Sequence, residues 1–288
     1  MSWQTPLLYL LGVLPTPLLY HAANLLYRVL YFVTGYRKAV VMENLARAFP
    51  QRNEKEITIL AKKFYRQLSQ TALEIPRGRT MSEQDLRDGV HLENPEMVEQ
   101  YSRGYTQSVL LLSLHQGNWE WLLTGTALGL GQPLDVIYKP LHNVATDRFM
   151  QQVRGRFGCR TVAVADIAAD LLRHRRAPRL LAIAGDQAPG SQERSLLCNF
   201  LQQPTLFHHT PGELAARTGL PVLFAHCRRC SPGQYSVRFE ALTSAQGEQD
   251  AELITRAYAE VAERAILEEP ESWLWSHRRW KDRPISTV

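Results

Sequence analysis

The chain has 288 residues, of which 45% are hydrophobic and 21% charged, enough apolar material for one large domain or two small ones. That composition excludes a disordered tail and a disulfide miniprotein. Lys and Arg number 33 against 28 Asp and Glu, a net charge of +5 that suits an anionic partner without naming one. The 4 cysteines are too few for a disulfide framework and point to a reduced, cytosol-facing domain.

No charged side chain occurs before Arg28, and the first acidic residue is Glu43. Pro6, Pro15 and Pro17 interrupt the start of this apolar stretch, so residues 18–34 form its best uninterrupted helical piece, near the lower length limit for crossing a bilayer. The reading is a retained N-terminal membrane-anchor helix within residues 1–34, spanning the bilayer or lying in its interface. A buried helix and a cleaved signal are the alternatives. The segment lacks the early positive charge and the small-x-small site of a signal peptide. If it spans, Arg37 and Lys38 on its C-terminal flank hold the remaining chain on the cytoplasmic side.

Asn53 with Glu56 forms a capping box before Ile57, Leu60, Ala61, Phe64 and Leu68, which recur on one helical face, and Pro76 closes the run. Beyond it, short apolar runs alternate with helical stretches. Strands are predicted at 109–114, 134–138, 180–184, 222–225 and 235–239, and helices at 118–130, 144–157, 212–218 and 250–267. Fully apolar strands separated by amphipathic helices imply an α/β fold with a mostly parallel mixed sheet flanked by helices. Neither an internal repeat nor a linker interrupts residues 35–288, which read as one unit.

The first apolar strand runs into His115-Gln116-Gly117-Asn118-Trp119-Glu120. Ligands of open α/β sheets bind outside the carboxyl ends of strands, which puts His115 at the edge of a cleft. Glu120, in the first turn of the following helix, is close enough in sequence to reach back to the imidazole and prepare it as a general base. Gly117 gives substrate an approach to the backbone, and the helix start at Asn118 offers N–H groups to an oxyanion or phosphate. Neither Ser nor Cys in this segment is placed as a nucleophile, so the arrangement favours direct attack by a substrate hydroxyl. A strand-end histidine satisfied by a carbonyl, with Glu120 favoured by the helix dipole, is the competing reading.

A His, four residues, then an acid is the signature of glycerolipid-type acyltransferases. Within that superfamily the chain resembles the bacterial lipid A biosynthesis acyltransferases, the late enzymes that add secondary acyl chains. The resemblance extends to Gly35-Tyr36-Arg37-Lys38 with Glu43-Asn44-Leu45-Ala46-Arg47-Ala48-Phe49-Pro50, and to Ile137-Tyr138-Lys139-Pro140-Leu141-His142-Asn143 leading to Arg154. It takes in Gly185-Asp186-Gln187-Ala188-Pro189-Gly190, and Trp273-Leu274-Trp275-Ser276-His277-Arg278-Arg279-Trp280-Lys281. It implies an acyltransferase domain over residues 35–288, with His115 as general base and Glu120 as its partner. Lys139, Arg154 and Asp186 join Gly117 and Asn118 in binding substrate. It also implies acyl carrier protein as donor, an anionic glycolipid as acceptor, the bacterial inner membrane as the site of action with the catalytic domain facing the cytoplasm, and no cofactor. The alternatives are another lipid acceptor, or a lipid-binding protein without activity.

Residues 139–179 hold nine Lys and Arg against three Asp, a patch suited to either anionic partner or to headgroups, or else a solvated helical face. Trp273, Trp275 and Trp280 with Arg278, Arg279, Lys281 and Arg283 suit core anchoring or a membrane interface. Cys227 and Cys230, with His208-His209 upstream, fall short of a zinc site, and the chain has no signature for nucleic acid binding.

Overall fold

The computed structural model describes residues 4–248 and 250–280. Lys281 and Arg283, singled out above, lie outside them.

The N-terminal segment forms two helices that part before Pro15. Helix α1 spans Gln4–Gly12, and α2 spans Thr16–Arg28 and runs on into a π-helical turn at Val29–Val33. Pro15 stands at the N-cap of α2, where its fixed φ starts the new helix that its missing N–H prevents α1 from becoming. Among the described residues no helix is long and apolar enough to cross a membrane. The spanning reading of the anchor is therefore unsupported, although α2 with its π-helical turn does form the helix expected over residues 18–34. Leu19 and Ala23 turn inward with Leu73 of α4 (Glu54–Arg77), while Leu10, Val13, Leu18, Leu25, Phe32 and Val33 stay largely exposed. Helix α4 begins with the predicted box, Asn53 Oδ1 accepting from the Glu56 N–H at 3.0 Å and Glu56 Oε2 from the Asn53 N–H at 2.8 Å. It carries Pro76 within its last turn. Helix α3 (Lys38–Ala48) packs on α4.

The main sheet contains β1 (Val90–Leu92), β2 (Val109–Ser113), β3 (Leu134–Tyr138), β4 (Cys159–Ala163), β5 (Leu180–Ala184), β8 (Val222–Ser231) and β9 (Gln234–Ala241). Their order is β1-β9-β8-β2-β5-β3-β4. Every pairing is parallel except the β8–β9 hairpin, so the sheet is mostly parallel and mixed as the apolar strand runs imply. Side chains alternate between two cores. Leu110, Leu112, Leu181, Val222 and Phe224 face one, and Val109, Leu111, Leu180, Ala182, Leu223 and Ala225 the other. Covering both faces accounts for the near-absence of polar residues in β2 and β5.

The first face is covered by α3, α4, α10 (Thr210–Thr218), α11 (Ala251–Glu268) and the separate hairpin of β6 (Ser195–Phe200) and β7 (Gln203–His208). The second is covered by α7 (Trp119–Leu130), α5 (Glu83–Gly89) and α6 (Glu96–Tyr101), with α8 (Val144–Gly155) beside α7 and β4. The chain leaves β2 toward the second face through α7, and leaves its neighbour β5 toward the first through the hairpin and α10. A crevice opens between two strands whose connections part in this way. It opens at the ends of β2 and β5.

Helix α3, the hairpin, α5, β1, α6, β4 and α9 (Ile167–Arg173) lie outside the predicted elements. They are short, and β1 gains its place only by pairing with β9, some 140 residues on.

Candidate active site

Ser113 and Ala184 are paired residues at the ends of β2 and β5. Two residues beyond each stand His115 and Asp186, so the register alone sets them side by side. Tyr258 of α11 locks this corner: its hydroxyl donates to the Ser113 carbonyl at 2.8 Å and accepts the Gly185 N–H at 3.1 Å. His115 Nδ1 lies 2.7 Å from Asp186 Oδ1, and the His115 backbone N–H also points at that carboxylate, 3.2 Å from each oxygen. The Trp273 indole N–H donates to Oδ2 at 2.8 Å. Burial alone raises a carboxyl pKa, yet the facing imidazole and these donors hold Asp186 down at about 2. Burial works against the charged form of His115, but the Asp186 charge and hydrogen bond, then the Glu120 charge, push the imidazole above its ordinary value.

With Nδ1 bound to a carboxylate, the proton resides there and Nε2 carries the lone pair. The His115 side chain keeps 22% of its surface exposed and the Asp186 side chain 2%, so the ring alone reaches the cleft. Trp119 stands edge-on to the imidazole with centroids 5.4 Å apart.

Glu120 is not the partner of His115 Nδ1. It accepts from Arg154, Nε to Oε2 at 2.8 Å and Nη2 to Oε1 at 2.7 Å. The two side chains are 5% and 12% exposed, so the fork-shaped pair is nearly closed off from water, and Arg154 also lies over the Tyr138 ring at 5.5 Å. The physical reason is geometric: Glu120 turns with the first turn of α7 toward α8, leaving Nδ1 to the residue that register places opposite it. Glu120 acts on His115 through its charge, at longer range.

Gly117 and Asn118 do not face the cleft. Gly117 has φ +58°, and a Cβ there would lie 3.0 Å from Cys227 Sγ and 3.1 Å from the Cys227 carbonyl, so this glycine serves packing on β8 rather than access for substrate. Asn118 has no exposed surface. It caps α7, its Oδ1 accepting the Trp121 N–H at 3.1 Å, and its Nδ2 donates to Glu74 Oε2 at 3.2 Å. Lys139 is 82% exposed and pairs with Glu193, 3.4 Å away, beyond the buried group.

The basic segment is partly neutralised. Arg160 and Arg179 bind Asp135 and Asp170 at the start of β3 and the approach to β5, the end of the sheet opposite His115. Arg173, Arg175 and Arg176 are exposed near that same end.

The C-terminal segment supplies what the sequence reading left undecided. Trp273, Trp275 and Trp280 are 2%, 0% and 9% exposed, so they anchor the core. Trp273 also completes the Asp186 site. Around it the segment clamps the His115 loop: the Leu274 N–H donates to the His115 carbonyl and the Gly117 N–H to the Ser272 carbonyl, both at 3.0 Å. His277, pulled down to about 4 by burial, accepts the Ala188 N–H at 3.1 Å and so steadies the loop after Asp186.

A partly exposed imidazole held by a buried carboxylate, with a fixed arginine nearby and, among the described residues, no adjacent Ser or Cys nucleophile, suits proton removal from a substrate hydroxyl once the ring is neutral. A family model described as bacterial lipid A biosynthesis acyltransferase matches residues 4–282. The chain is 24% identical over 255 residues to the lipid A biosynthesis palmitoleoyltransferase of Escherichia coli (strain K12), covering 86% of this chain and 80% of that one. It has the same identity and coverage with the lipid A biosynthesis acyltransferase of Shigella flexneri. The chain therefore belongs to the bacterial lipid A biosynthesis acyltransferase family and is an enzyme that transfers acyl groups.

Proposed function

We propose that the enzyme transfers a fatty acyl chain from the thioester of acyl carrier protein to a hydroxyl of a lipid A precursor, with His115 as general base. The observation that carries this reading is the His115–Asp186 pair, whose 2.7 Å contact leaves Nε2 as the acceptor at the cleft. Nε2 takes the hydroxyl proton as the oxygen attacks the thioester carbonyl, and Asp186 stabilises the imidazolium. The first turn of α7 supports the oxyanion. The C–S bond then breaks, and the proton on Nε2 goes to the leaving thiolate. Arg154, held by Glu120, keeps Nη1 outside that ion pair for an anionic group of the substrate. Lys139 at the rim suits the acidic donor or the anionic acceptor.

We place the enzyme on the bacterial inner membrane, with the catalytic domain facing the cytoplasm. The exposed row Leu10, Val13, Leu18, Leu25, Phe32 and Val33 supports this reading. So do the basic groups beside it: Lys38 stands over the Tyr31 ring at 4.1 Å and Arg66 over the Tyr27 ring at 5.4 Å. Apolar, aromatic and basic groups together suit helices lying in a bilayer interface.

The test is mass spectrometry of membranes containing the wild-type enzyme or His115→Ala, given acyl carrier protein thioester, a lipid A precursor and a lysophospholipid mixture. The expected result is acyl gain on the lipid A precursor, lost in the variant. Gain on lysophospholipid alone replaces the acceptor, and gain undiminished by His115→Ala removes the base.

A further inference from the structure

Glu74 lies in α4, outside every motif singled out in the sequence, and is 1% exposed. Four other elements converge on it. Tyr20 of α2 donates to Oε1 at 2.8 Å, Tyr235 of β9 donates to Oε2 at 2.5 Å, and the Asn118 carboxamide donates to Oε2 at 3.2 Å. Arg229 of β8 stands 3.9 Å from Oε1 as its counter-charge. Burial and the Glu74 charge raise both phenols well above their ordinary value, which keeps them protonated as donors. A buried carboxylate with three donors and a cation is costly to assemble and is retained where its geometry matters.

The geometry that matters is that of Asn118. A carboxamide can be turned either way round, but only one way lets Oδ1 cap α7 at the Trp121 N–H. Glu74 selects that way, because a carboxylate accepts from Nδ2 and repels Oδ1. Asn118 separates His115 from Glu120, so its orientation sets how the loop bearing the imidazole meets the helix bearing the carboxylate that holds Arg154.

We infer that Glu74 is a positioning residue of the acyl-transfer site, fixing the start of α7 through Asn118 and tying it to α2 through Tyr20. The inference rests on the reading of His115 as the base. The packing of the β8–β9 turn supports the Tyr20 arm: Gly233 has φ +72°, and a Cβ there would lie 2.7 Å from the Tyr20 hydroxyl.

The test is a polarity swap in the full-length enzyme. Glu74→Gln keeps shape and removes the charge; Asn118→Asp keeps the cap oxygen and sets two carboxylates face to face. In the double variant the carboxamide at 74 donates to the carboxylate at 118, reversing the hydrogen bond without losing it. With kcat normalised to the folded fraction, each single variant is expected to lose at least tenfold in kcat with KM for donor and acceptor within twofold. The double variant is expected to regain most of that loss. Single variants within twofold of wild-type kcat, or losses that the swap leaves unrepaired, overturn the inference.

If either single variant fails to fold, Tyr235→Phe, which removes one donor and leaves the pair intact, takes its place. A fall of at least threefold in kcat at unchanged KM is expected, and unchanged kcat overturns the inference. His115→Ala run beside them separates the two readings. If it retains activity the assignment of the base fails, whereas its inactivity together with silent Glu74 variants sinks the role of Glu74 alone.

Discussion

Changing Asp186 to Asn keeps the size of the side chain but removes the charge facing His115 Nδ1. The imidazole of the wild-type enzyme is raised above its ordinary value, so the base becomes neutral, and kcat/KM rises, only above that pH. In Asp186→Asn the raising charge is gone, and the acidic limb of the pH profile is expected to move to lower pH. At the same time kcat is expected to fall by on the order of 10³- to 10⁴-fold, because the tautomer is no longer fixed. A limb that stays in place or moves upward refutes the pairing. His115 stands out in the sequence at the end of an apolar strand, and Asp186 only through the resemblance to the family. Their partnership was not legible: Glu120 is 5 residues from His115, Asp186 is 71, and nearness along the chain favoured the wrong carboxylate.

At the scale of the element, the loop from β2 to α7 is built to hold one shape. Gln116 pairs with Trp273 in an isolated β-bridge, its side chain donates to the Ala265 carbonyl at 2.9 Å, and Gly117 adopts the left-handed conformation against Cys227. Gly117→Ala meets both a strained φ and a backbone carbonyl that cannot move aside. It is expected to cost about 1–3 kcal/mol of stability by urea denaturation, with a loss of kcat as the His115 loop shifts. Unchanged stability removes the packing role given to Gly117. The capping box of α4 and the apolar strands were legible because their signals are local. The roles of Gly117 and Asn118 were misread because a glycine and a polar residue beside a catalytic histidine carry the same letters whether they face substrate or the core.

For the whole molecule, the N-terminal helices and the cleft belong to one body, since α1 and α2 pack on α4 and α4 carries Glu74 to the α7 start. Leu25 and Phe32 are each 63% exposed on the outer row. The double variant Leu25→Glu/Phe32→Glu is expected to bind vesicles containing anionic lipid at least about a hundredfold more weakly, since burying each side chain contributes roughly 1.5–3 kcal/mol. Its melting temperature is expected to stay at the wild-type value. Equal vesicle binding by the variant removes the docking face.

The α/β sheet with both faces covered, the gathering of chemistry after the first long strand and the family of the motifs can all be read from the amino-acid order. These follow from local patterns: the period of apolar residues, the caps, and short blocks of fixed letters. The packing of α1 and α2 on α4, the binding of the imidazole by Asp186 rather than Glu120, and the reach of Glu74 to Asn118 emerge first in the folded chain. Those outcomes depend on which strands are neighbours and in what register. That order is set by the joint packing of both faces of the sheet, and no stretch of the chain carries it alone.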